Sequence, residues 1–197
     1  PKPGTAEFQQ NILTAAQITV ENTVTYDSKS YVLESVDSRD KTVTADAANN
    51  VVKVYYAVDV IGPEGPDNIP DKYQREVTYK VDKGGWNDKT GAAAKADVTE
   101  VVTLKTNGEL DVNGTAVLNA PAVGSNPDTG YKAGSWAPAL PATFTKTSPV
   151  EYTYTYVKNS YGYTVEYYFD GTKATTGNFA PKPGTAEFQQ NILTAAQ

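Results

Sequence analysis

Apolar and polar residues alternate with a period of two along much of this chain, the spacing of half-buried β-strands. The clearest case is Glu151–Val157, where Tyr152, Tyr154 and Tyr156 share one face and Thr153 and Thr155 the other. Aromatic rings repeating at that period predict a face packed on a core rather than a sugar-stacking surface. Tyr163, Val165, Tyr167 and Phe169 repeat the pattern, as do Val77, Tyr79 and Val81, and Val52, Val54 and Tyr56. Further strands are expected at Val24 and Tyr26, Ser30–Val36, Thr42–Thr44, Val98–Thr106, Leu110–Val112 and Tyr131–Trp136. Turns are expected at Asn49–Asn50, Gly84–Gly85 and Asn107–Gly108, and loop at Pro138–Pro141. Gly91–Ala96 reads as loop or a single helical turn. Helical spacing is confined to Thr5–Ala16, with Phe8, Ile12, Leu13, Ala15 and Ala16 near one face, Thr5 as N-cap and Glu7 in the first turn.

That opening stretch belongs to a longer text, PKPGTAEFQQNILTAAQ, which occurs as Pro1–Gln17 and again, letter for letter, as Pro181–Gln197. The repeat predicts a tandem array with a 180-residue period, of which the chain is a window; the alternative is an engineered duplication. The expected fold class is α+β, mostly β, as two small domains per period. Residues 1–60 form the first, with its first strand supplied by 163–171 or by a neighbouring repeat. Residues 61–74, with Pro63, Pro66 and Pro70, form a stiff linker. Residues 75–158 form the second domain, and 159–197 begin the next repeat. Two copies of one helix then compete for one docking site, so the C-terminal piece folds back, completes another molecule head to tail, or leaves an end unpaired as an aggregation hazard; head-to-tail completion is the expectation.

Composition narrows the chemistry. The 197 residues carry a formal charge of −6 and only two arginines, Arg39 and Arg75, which speaks against nucleic acid and anionic lipid as partners. Without Cys or His there is no disulfide, thiol nucleophile, thiolate metal site or imidazole base. No enzyme, no cofactor and no catalytic or metal residue is expected. The absence of Met fits an internal fragment, and neither a signal peptide nor an apolar run long enough to cross a bilayer is evident.

The block YTVEYYFDG (Tyr163–Gly171), taken with NNVVKVYYAVD (Asn49–Asp59), resembles the first and last strands of mucin-binding-protein repeats of Gram-positive surface proteins. VTYKVDKGGW (Val77–Trp86), GYKAGSW (Gly130–Trp136) and VEYTYTYV (Val150–Val157) are similar to internalin-type B repeats and streptococcal high-identity repeats. The resemblance implies β-grasp-like domains strung into an extracellular, cell-wall-anchored or secreted stalk.

GPDNIPDKY (Gly65–Tyr73) resembles an extracellular calcium loop in which Asp67 and Asp71 match ligand positions. Pro63 and Gly65 occupy two others and Asn68 replaces the turn glycine, so any site, even helped by Glu64, is expected to be weak. A Lys–Asn isopeptide bond, of the kind such stalks carry, would need a pair such as Lys80 and Asn113, which no spacing singles out. Trp86 and Trp136 read as core or turn-packing residues before a carbohydrate platform, and the Asn113–Thr115 sequon carries no weight in a bacterial chain. The leading functional expectation is a structural spacer that associates head to tail with its neighbours. The alternative is a module binding host glycan or mucin.

Overall fold

The computed structural model describes residues 5–15, 18–37, 39–62 and 64–195, and leaves the side chains of residues 14, 15, 194 and 195 undescribed. Two compact units are present, each threaded by three separate stretches: 1–77, 100–118 and 142–148 in the first, and 78–99, 119–141 and 149–197 in the second.

The first unit opens with a short helix, α1 (Ile12–Ala15), followed by β1 (Thr23–Tyr26), β2 (Lys29–Asp37) and β3 (Lys53–Val58) in an antiparallel sheet of order β1-β2-β3. Asp27 and Ser28 both adopt left-handed φ, 48° and 61°, which matches the twist of a two-residue hairpin and joins β1 to β2. Before β3 the Asp46 side chain accepts the Ala48 N–H at 3.0 Å, capping a 3-10 turn at Ala47–Asn49. β4 (Gln74–Asp82) begins in this unit and continues into the second, whereas β5 (Val98–Thr103) starts in the second and finishes in the first. β6 (Lys105–Thr106) and β7 (Glu109–Leu110) then pair across Asn107 and Gly108, both at positive φ. Among the described residues, Val32, Val77, Val102, Leu104 and Phe144 are the buried apolar side chains of this unit.

The second unit contains β8 (Tyr131–Ala137) and β9 (Glu151–Lys158), which pair antiparallel, while β9 also runs parallel to β4 with Thr78 opposite Glu151 and Asp82 opposite Thr155. The strand order of this sheet is β5-β4-β9-β8. Tyr79, Trp86, Ala94, Tyr152, Tyr154 and Tyr156 are buried, so the period-two tyrosine face of β9 is a core face. Tyr154 and Tyr156 meet edge to face at 5.0 Å between centroids, and Tyr79 stacks on Tyr152 at 6.1 Å. The Gly84 backbone passes so close to this row that a Cβ there would lie 2.4 Å from the Tyr156 ring.

Beyond β9 come β10 (Ser160–Val165), β11 (Tyr168–Phe169), β12 (Thr172–Lys173) and β13 (Lys182–Glu187), then α2 (Ile192–Ala195). β10 pairs antiparallel with β13, Ser160 opposite Glu187 and Val165 opposite Lys182. β11 and β12 form a hairpin over Asp170 and Gly171, at φ 45° and 80°.

The mostly-β α+β class expected from the hydrophobic pattern is present, but three local expectations are corrected. Tyr163–Phe169 is not one strand: it breaks at Glu166, which accepts hydrogen bonds from Lys173 and Tyr168, and Asp170–Gly171 folds the chain back. The Lys173 and Tyr168 donors hold the Glu166 carboxyl below its usual range. Thr5–Gln10 is not helical, because Gln9 takes φ 65° and the helix starts only at Ile12; Phe8 is 69% exposed, and Ala16 lies outside the described residues. Thr42–Thr44 is reduced to one bridge between Asn11 and Thr42. Of the two alternatives for Gly91–Ala96 the helical turn is the one formed, a 3-10 helix over Gly91–Lys95.

The tyrosine row separates two kinds of hydroxyl. Tyr156 Oη donates to the Gly85 carbonyl at 2.9 Å and accepts the Gly124 and Asn126 N–H groups at 2.9 and 3.2 Å, whereas Tyr152 Oη is buried with no partner among the described residues. Burial alone pushes the Tyr152 phenol above the usual tyrosine range. Tyr156→Phe is expected to cost about 1–3 kcal/mol, because buried backbone groups lose their partner, while Tyr152→Phe is expected to be neutral or stabilising. Urea unfolding of the two variants against the parent measures the contrast.

Candidate functional site

The residues singled out for chemistry are largely built into the framework. Trp86 is fully buried and donates Nε1–H to the Ala96 carbonyl at 2.7 Å; Trp136, half-buried, stacks on it at 6.3 Å between centroids and meets Tyr79 and Tyr154 edge-on. Neither tryptophan stands free as a platform.

In the proline-containing loop the carboxylates bind backbone amides. Asp71 accepts the Val60 and Ile61 N–H groups at 2.8 and 2.9 Å, and Asp67 accepts the Ile69 N–H at 3.0 Å and the Gln74 side-chain amide at 2.7 Å. Asp59, only 1% exposed, accepts the Asp67 and Asn68 N–H groups at 3.1 and 2.9 Å. Asn68 can replace a turn glycine because it takes φ 68°, which asparagine tolerates. Glu64 is exposed, Pro63 lies outside the described residues, and among those described no group of three or more His, Cys, Asp or Glu could hold a metal ion. Asp59 was not singled out by sequence reasoning. Its signal is position, an acid directly after a strand and before a Gly/Pro loop rich in free N–H groups.

Lys80 and Asn113 are not brought together. Lys80 pairs with Glu151 at 2.8 Å, and Asn113 accepts from Lys146 instead. Beside Asn113, Asp111 accepts the Asn113 backbone N–H and the Thr106 hydroxyl, each at 2.8 Å, and these bonds hold its carboxyl below the ordinary aspartate value.

The duplicated text is the remaining candidate, and its two copies have the same local form. In each, a turn closes from Gln10 N–H to the Glu7 carbonyl at 3.0 Å, or from Gln190 N–H to Glu187 at 2.9 Å, with Gln9 and Gln189 at φ 65° and 63°. The Gln10 and Gln190 side chains accept the Glu7 and Glu187 N–H groups at 3.0 and 2.9 Å. Their surroundings differ. In the N-terminal copy the second half is docked: Gln9 N–H and Ile12 N–H donate to the Val43 and Lys41 carbonyls at 2.9 and 3.0 Å, and Val43 N–H donates to Gln10 at 2.8 Å. In the C-terminal copy the first half is docked, as β13 on β10, and Phe188 covers Gly130 and packs edge-on to Tyr131 and Tyr161 at 6.0 and 6.4 Å.

No protein-family model, no curated protein and no solved structure matches this chain. Nor is it two domains in tandem. Each compact unit is threaded by non-contiguous stretches, and long-range pairings such as Thr78 with Glu151 tie distant parts of one mostly-β fold together. The resemblance to mucin-binding, internalin-type and streptococcal repeats, with its tandem β-grasp pair, is therefore withdrawn. Among the described residues no helix is long and apolar enough to cross a membrane.

Asp59→Ala should remove the acceptor of two half-buried hydrogen bonds, to the Asp67 and Asn68 N–H groups, and cost about 1–2 kcal/mol, read by urea unfolding. For Asp111 the folded carboxyl titrates below its unfolded value. Its contribution is therefore present above the ordinary aspartate range and lost as pH falls through the lowered folded value. Carboxyl carbon shifts followed by NMR on acidification should place the Asp111 midpoint below the ordinary aspartate value, and Thr106→Ala should raise it.

Proposed function

We propose that this protein is a structural module, an extracellular spacer whose task is carried by its fold rather than by a catalytic or sugar-binding centre. The observation supporting this reading is that side chains capable of chemistry serve as internal struts. Tyr156 makes three hydrogen bonds with the backbone through its hydroxyl, Asp59 and Asp71 each hold two backbone amides, and Trp86 is sealed inside. A spacer works through rigidity and resistance to proteases, and both follow from loops fastened at their polar atoms, since opening one exposes several hydrogen bonds at once.

The test is a pair of measurements on the intact chain. Limited proteolysis should spare the β4–β9 region and its loops over many hours, and titration against mucin and a panel of host glycans should show no saturable binding. Saturable binding abolished by Trp136→Ala, with the unfolding midpoint little changed, would replace the spacer by a glycan-recognition module.

A further inference from the structure

The two copies of the 17-residue text expose complementary parts of the same sequence. In the N-terminal copy Asn11, Ile12 and Leu13 are half-buried while Phe8 is 69% exposed. In the C-terminal copy Phe188 is half-buried while Ile192 and Leu193 are 46% and 72% exposed. The backbone shows the same division. Gln9 N–H, Ile12 N–H and the Gln10 carbonyl are bonded to Lys41 and Val43, but their counterparts at Gln189, Ile192 and Gln190 meet no such partner among the described residues. The face that the N-terminal copy docks through residues 9–12 is therefore left open in the C-terminal copy.

We infer that the C-terminal copy of one molecule docks on the Lys41–Val43 edge of a second molecule in place of that molecule's own N-terminal copy, linking chains head to tail by strand exchange. The partner is a second copy of this chain because the acceptor edge already binds this sequence through residues 9–12. The incoming segment is also prefolded. Its turn, its left-handed Gln189 and its Gln190 side-chain bond match those of the docked copy, so little conformational entropy is lost on exchange.

Since the sequences are identical, the interactions that residues 189–193 make on the acceptor edge equal those that residues 9–13 give up. Interaction energy cancels, and the outcome rests on the effective concentration of the tethered N-terminal copy, which for a short tether is on the order of millimolar. Parent protein should accordingly be monomeric at micromolar concentration and exchange at high concentration. Anything that weakens only the N-terminal copy should lower the crossover. This inference does not depend on the spacer reading, since a glycan-binding module could exchange strands equally well.

Ile12→Pro and Ile192→Pro provide the test. Each removes the N–H that docks on Lys41 while placing proline at the first residue of a helix, where it is tolerated, after a residue suited to an extended backbone. Sedimentation velocity of the full chain from micromolar to millimolar should show the crossover falling about fivefold in Ile12→Pro, the equivalent of one net backbone hydrogen bond. It should rise by a similar factor in Ile192→Pro and return to the parental value in the double variant. That return is the folding control, because association through misfolding of Ile12→Pro would persist in the double variant. An Ile12→Pro chain that stays monomeric throughout, or one whose association is untouched by Ile192→Pro, would overturn the proposal.

Discussion

The parallel pairing of β4 with β9 is the contact on which the second unit depends. It brings Thr78 beside Glu151 and Val81 beside Tyr154, closing a loop that contains every residue from Lys83 to Val150. Loop-closure entropy grows only slowly with length, so a closure of that size is affordable once a large apolar surface rewards it. The tyrosine face of β9 supplies that surface: Tyr152, Tyr154 and Tyr156 are buried with Tyr79 and Trp86. The same closure brings Gly85, Gly124 and Asn126 within reach of the Tyr156 hydroxyl, so a strand pairing also fastens two loops that are joined to each other by the Gly85 N–H and the Asn126 carbonyl.

Elsewhere carboxylates do what the tyrosine hydroxyl does there. Asp59 and Asp71 gather backbone N–H groups of the Gly/Pro-containing segment, satisfying donors that the irregular path would otherwise leave unpaired. A buried acid of this kind resembles half a cation site in sequence. In space its oxygens are already engaged with amides, and this is why alternating Asp residues in a loop predict a turn at least as well as they predict calcium.

Much of the strand content was legible because period two and paired turn residues are local signals. The rows of β4 and β9, the β6–β7 hairpin over Asn107–Gly108 and the strands β1 and β2 all follow from them. What was not legible depends on distant partners. No local signal tells that β4 lies parallel to β9. The break after Val165 follows from the contacts of Glu166 with Tyr168 and Lys173, which a run of alternating aromatics does not reveal. The opening helix was overextended because helical spacing of apolar residues takes no account of a glutamine in left-handed conformation.

The duplicated text isolates the contribution of sequence from that of context. Both copies close the same turn with the same glutamine side chain, so that conformation is a property of the 17 residues themselves. What differs is the edge each copy finds: Lys41–Val43 for one, β10 for the other. Local structure is thus encoded once and used twice, while the pairing partner is set by tether length and geometry. In a chain with two equivalent donors for one acceptor edge, affinity cannot choose between them, so topology and concentration must.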